Sequence, residues 1–167
     1  MPTSAAALDR LDAILEGARL WGVELDPAYR VAAVTVQVAS DRHPSGEGRG
    51  DDRLQLLLHP VADVQASLRR STPDGHVVET FDVEQLAAVV GRFDGPVLSG
   101  PLFDLPEPAP GDWGPRFSLG GRSKALDGRA HAVTFHADDG RGRVLDVRLT
   151  FDDVTVRDPE GHDLDLS

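Results

Sequence analysis

Residues 129–156 read RAHAVTFHADDGRGRVLDVRLTFDDVTV, and this stretch decides the fold class. Apolar and polar residues alternate on both sides of Asp138-Asp139-Gly140-Arg141-Gly142, a segment with the composition of a hairpin loop. The spacing predicts a strand over Arg129–Ala137 and a return strand over Arg143–Phe151. Pairing Phe135 with Leu145, and Val133 with Val147, turns both pairs inward. The opposite face then carries Thr134, His136, Asp146, Arg148 and Asp152. Inward parity is odd through Leu149 and Phe151 but even at Val154 and Val156, so a bulge or bend is expected at Asp152-Asp153. A turn at Asp158-Pro159-Glu160-Gly161 then returns the chain through Leu164 and Leu166.

The same period of two recurs upstream. Val34, Val36 and Val38 define one face of a strand within Tyr29–Ala39, and Leu54, Leu56, Leu58, Ala62, Val64, Ala66 and Leu68 keep even parity. The second run exceeds a normal strand length, and His59-Pro60 interrupts it, so it reads as two strands or one sharply bent strand. Pro73-Asp74-Gly75 signals a turn into a short strand over His76–Thr80. Residues 40–52, with Pro44, Gly46, Gly48 and Gly50 and no apolar anchor, read as a flexible loop.

Two segments switch to helical spacing. Ser4 is placed as an N-cap for a helix over 4–21, with Leu8, Leu11, Ile14, Leu15, Ala18 and Trp21 on one side. Asp82 and Gln85 form a capping box, and Phe81 with Leu86 a hydrophobic staple, predicting a helix from Val83 to about Phe93. Between this helix and the C-terminal meander (116–167) lies a Pro-rich crossover, 96–115. Its Leu98, Leu102, Phe103, Leu105 and Trp113 are expected to pack on the body, which makes Leu105 and Trp113 candidate contact residues. An extended polyproline ligand for a partner domain is the alternative reading of that segment. Together these elements predict a single α+β domain over 1–167. It is a mainly antiparallel sheet of about eight strands, curved or sandwich-like, with an N-terminal and a mid-chain helix.

Composition bounds the chemistry. The 167 residues hold 17 basic and 28 acidic side chains, a formal charge of −11, and no cysteine. This excludes disulfides, thiolate metal sites and a cysteine nucleophile. It also argues against nucleic-acid or anionic-membrane binding, which needs a positive surface. No apolar run approaches the ~20 residues of a membrane span, and the N-terminus lacks the pattern of a signal peptide, so a cytoplasmic protein is expected. Lys124 is the only lysine and asparagine is absent, as in proteins encoded by GC-rich bacterial genomes.

Motifs for standard chemistry are missing. Gly120-Gly121-Arg122-Ser123-Lys124 lacks the ending of a phosphate loop, and Ser99-Gly100-Pro101 is no nucleophile elbow. His131 and His136 fall on opposite faces of one strand, and the C-terminal acids lack the calcium-loop spacing. No cofactor is expected. The reading is a non-enzymatic protein acting by macromolecular binding, as an adaptor, assembly subunit or immunity-like protein. Its net charge steers it to a basic protein partner, and its contacts are Thr134, His136, Asp146, Arg148, Asp152, Leu105 and Trp113. The alternatives are a small metal-dependent hydrolase using His136 and Asp138, or a ligand pocket lined by Val34, Leu56 and Phe135.

Overall fold

The computed structural model describes residues 3–46, 52–104, 116–118 and 131–166. Helix α1 (Ala5–Leu15) starts where Ser4 Oγ accepts the Ala7 amide at 3.2 Å, and it buries Leu8, Leu11 and Leu15. It ends well before residue 21. Gly17 takes φ +77° and donates its amide to Leu98 O at 3.0 Å. The Leu98 amide in turn donates to Ala18 O, and the Leu20 amide to Pro96 O. Those partners draw the chain into strand β1 (Arg19–Asp26), so the helical spacing of Ala18 and Trp21 with α1 is coincidental.

β1 pairs antiparallel with β2 (Val31–Gln37), and Trp21 is the extra residue of a bulge between Leu20 and Gly22. Residues 40–42 form a 3-10 turn, and Arg42 Nη1 donates to Ala13 O and Glu16 O at the end of α1. This part of the expected flexible loop is therefore anchored, through a guanidinium rather than an apolar side chain.

Strand β3 (Arg53–Thr72) is one 20-residue strand, not two. Its first part pairs with β2, and along its other edge it pairs with β8 (Arg143–Arg157) almost throughout. The buried stripe runs Leu54, Leu56, Leu58, then Val61, then Val64, Ala66 and Leu68. Val61, not Ala62, enters the core, because the register shift falls between Val61 and Asp63. On β8 the stripe runs Leu145, Val147, Leu149 and Phe151, then changes phase to Val156. The bend expected at Asp152-Asp153 thus lies opposite His59, with the bulge on the partner strand.

β4 (Gly75–Glu79) folds back on the end of β3. Asp82 and Gln85 form the expected capping box, leading through a 3-10 turn at Val83–Gln85 into α2 (Leu86–Gly91). β5 (Phe103–Asp104) pairs with β7 (His131–Asp138), and β6 (Arg116–Ser118) runs along β3 rather than continuing the meander. β9 (Asp163–Leu164) closes on β8. The sheet order is β1-β2-β3-β8-β7-β5, with β4, β6 and β9 attached to the long central strands. This is the expected α+β, mainly antiparallel architecture.

One face of the sheet forms the core with α1, α2, Leu98 and Leu102. Val34, Leu56 and Phe135 are fully buried there and belong to the packed interior. The carboxylates of α1 tie in the segment after α2: Asp12 Oδ1 accepts the Leu102 amide at 2.7 Å, and Glu16 Oε2 the Gly100 amide at 3.0 Å. Burial holds the Asp12 carboxyl above its ordinary value, against the lowering effect of the Leu102 and Phe103 amides; Asp9 and Glu16 add to the upward shift. Among the described residues, no helix is long and apolar enough to cross a membrane.

Candidate functional site: the polar face of the central strands

The β7–β8 hairpin pairs Phe135 with Val147 and Val133 with Leu149, two residues away from the expected register. A slip of two preserves which side chains share a face, so Thr134, His136, Asp146 and Arg148 still form one row, in which His136 is exposed, Thr134 and Arg148 are half-buried and Asp146 is buried. Register places Thr134 opposite Arg148 and His136 opposite Asp146. Across β8 on the other side, Gln65 faces Arg148 and Ser67 faces Asp146. Three central strands therefore present two adjacent polar rows, Gln65–Arg148–Thr134 and Ser67–Asp146–His136.

Asp146 is the hub. It is 8% exposed, and its Oδ1 lies 2.7 Å from His136 Nδ1 while its Oδ2 bonds Arg69 Nη2. A carboxylate oxygen can only accept, so the Nδ1 hydrogen of His136 is committed to it and Nε2 points elsewhere. Arg148 Nη1 donates to Thr134 Oγ1 at 3.3 Å. Ser67 Oγ and Arg69 Nε are buried without hydrogen-bond partners among the described residues. His136 carries the most exposed side chain of the pair, at 62%, against 12% for Asp146.

Of the residues expected at the surface, the structure brings together Thr134, His136, Asp146 and Arg148. Asp152 stands apart, half-buried in the bend between Phe151 and Val154. Leu105 and Trp113, and the Gly120–Lys124 cluster, lie outside the described residues. The β3 contribution, Gln65, Ser67 and Arg69, was not anticipated. Its signal lay in the odd positions from 63 to 69, Asp63, Gln65, Ser67 and Arg69, which are polar where Val64, Ala66 and Leu68 are apolar. Once β3 is paired with β8, those odd positions join the same face.

Asp138, the other member of the expected His136/Asp138 site, spends Oδ1 on the Gly140 amide at 2.8 Å inside the hairpin loop. Its neighbour Asp139 accepts the Arg143 and Arg141 amides, which hold its carboxyl below the usual value. A separate group, Asp158, Glu160 and His162, brings possible ligand atoms within 4.8 Å of one another in the β8–β9 turn. Asp158 there accepts the His162 amide at 2.8 Å and faces His162 Nδ1 at 3.2 Å, which organises the turn. Asp158 and Glu160 both have further interaction partners. No protein family, curated protein or solved structure matches the chain, so the reading of this face rests on its own geometry.

Proposed function

We propose that this chain is a non-enzymatic binding protein that acts inside the cell by engaging a basic protein partner through the polar face of β3, β8 and β7. The observation that carries the reading is the ordering of that face. Arg69–Asp146–His136 and Arg148–Thr134 are fixed by contacts between strands. Side chains held in one arrangement before binding lose little entropy when a partner arrives. The net charge of −11 steers a basic partner toward the chain and makes association fall with salt. An adaptor, an assembly subunit or an immunity-like protein each fits this description.

The test is capture from the native host on immobilised wild-type chain and on Thr134→Lys and His136→Ala, followed by reconstitution with the purified partner. The reading expects a basic protein that binds the wild type and whose affinity drops at least about tenfold for Thr134→Lys, which places a cation at the centre of the face. A partner held equally by all three chains, or no partner and a monomer by native mass spectrometry, contradicts it.

A second reading, a small metal-dependent hydrolase or ligand-binding protein using the His136/Asp138 region, draws support from the orientation of His136. An imidazole anchored through Nδ1 leaves Nε2 for a metal or a proton. Stoichiometric metal in the purified chain that disappears in His136→Ala would replace the first reading with this one.

A further inference from the structure

Among the described residues β4 pairs only with β3, and Gly75, His76, Val77 and Val78 are exposed, Val77 at 44% and Val78 at 42%. An edge strand offers backbone N–H and C=O groups to any strand that meets it, and natural edges are blunted by lysine, proline or a bulge. β4 carries none of these: it reads Gly75-His76-Val77-Val78-Glu79 in unbroken register with β3.

The hairpin fixes which groups are on offer. Thr72 and Gly75 close a two-residue loop and so exchange hydrogen bonds, as do Arg70–Val77 and Leu68–Glu79 at steps of two. The amides and carbonyls of His76 and Val78 therefore point away from β3. We propose that β4 is the edge through which two copies of this chain pair, antiparallel, into one continuous sheet centred on Val77.

Symmetry selects that centre. Two identical antiparallel strands are related by a two-fold axis perpendicular to the sheet, so the axis passes through a residue position and same-face residues meet. Centring on Val78 sets Val77 against Glu79 of the second copy. Centring on His76 sets Val78 against Asp74. Centring on Val77 sets Val77 against itself and His76 against Val78, joins the outward amides and carbonyls in mutual pairs, and puts no two carboxylates opposite each other. The contact is far smaller than the ~1,200 Å² of stable interfaces, so the dimer is weak and concentration-dependent. Each copy carries −11, so added salt strengthens it by screening the repulsion.

The chain has no cysteine, so Val77→Cys introduces a single thiol. Centred on Val77, the two copies form a non-hydrogen-bonded pair with Cα atoms ~4.5 Å apart, inside the range a disulfide spans. In a glutathione redox buffer at about 0.5 M salt, Val77→Cys should cross-link at least about tenfold faster than Val97→Cys, a valine 57% exposed elsewhere. Sedimentation of the wild type should rise with concentration, and Val77→Lys should remove the rise. Equal cross-linking of the two cysteine variants overturns the proposal. So does a wild type that sediments as a monomer throughout, or self-association that Val77→Lys leaves intact. None of these readouts involves the polar face.

Discussion

Replacing Asp146 by Ala removes the hub of the polar face, and its cost follows from the contacts. Asp146 is 8% exposed and holds both Arg69 Nη2 and His136 Nδ1. A hydrogen bond to a charged group is worth about 1.5–3 kcal/mol, and stripping one partner from a fully buried ion pair costs about 3–5 kcal/mol. The environment here is intermediate. His136, with 62% of its side chain exposed, rehydrates when Asp146 goes, whereas Arg69 is 28% exposed and its Nε is already buried without a partner. The loss should therefore fall near 2–3 kcal/mol for Asp146→Ala and below about 1 kcal/mol for His136→Ala. Removing Arg69 as well relieves the stranded guanidinium. Asp146→Ala with Arg69→Met should then be less destabilised than the sum of the single variants by about 1–2 kcal/mol. Urea unfolding followed by tryptophan fluorescence measures all four values. A loss under about 0.5 kcal/mol for Asp146→Ala, or strict additivity with Arg69→Met, would refute the hub.

Three further outcomes are expected. Gly95 takes φ +68° beneath Trp21, and an added Cβ would lie 2.9 Å from the indole ring; Gly95→Ala should cost about 2–3 kcal/mol, of which Trp21→Ala in the same chain recovers the steric part but not the ~1–2 kcal/mol of backbone strain. Ser4→Ala removes the cap on Ala7 and should cost about 1 kcal/mol by the same unfolding assay, a wild-type-like value arguing against that helix start. The Asp12 carboxyl is raised above 3.8 by burial, so the folded chain binds its proton more tightly than the unfolded one. Its contribution is most favourable below 3.8 and is lost as pH rises through the folded value. The stability of wild type minus that of Asp12→Asn should thus increase on acidification, and a flat or falling difference would contradict the burial of that group.

The sequence carries the face of each strand better than its register. Alternation identifies Thr134, His136, Asp146 and Arg148 as one row because the chemistry of a strand face depends only on parity, and a slip of two leaves parity unchanged. The β1 strand was hidden because Ala18 and Trp21 also satisfy a helical spacing. What breaks the helix is Gly17 at φ +77° and the hydrogen bonds from residues 96–98, partners some eighty positions away. The capping box at Asp82 and the N-cap at Ser4 were legible because both are local hydrogen bonds written into four consecutive residues. Arg69 was missed for the opposite reason. Its contact with Asp146 spans 77 positions and exists only once β3 and β8 are paired.

Whether the polar face engages the proposed basic partner is decided by the dissociation constant of the reconstituted complex, measured for Thr134→Lys and for Val97→Lys as a charge-matched control. Thr134 lies at the centre of the polar face and Val97 is exposed beside β1. Thr134→Lys should weaken the complex at least about tenfold, and Val97→Lys should leave it little changed. Equal effects of the two lysines, or a loss confined to Val97→Lys, would contradict engagement through this face.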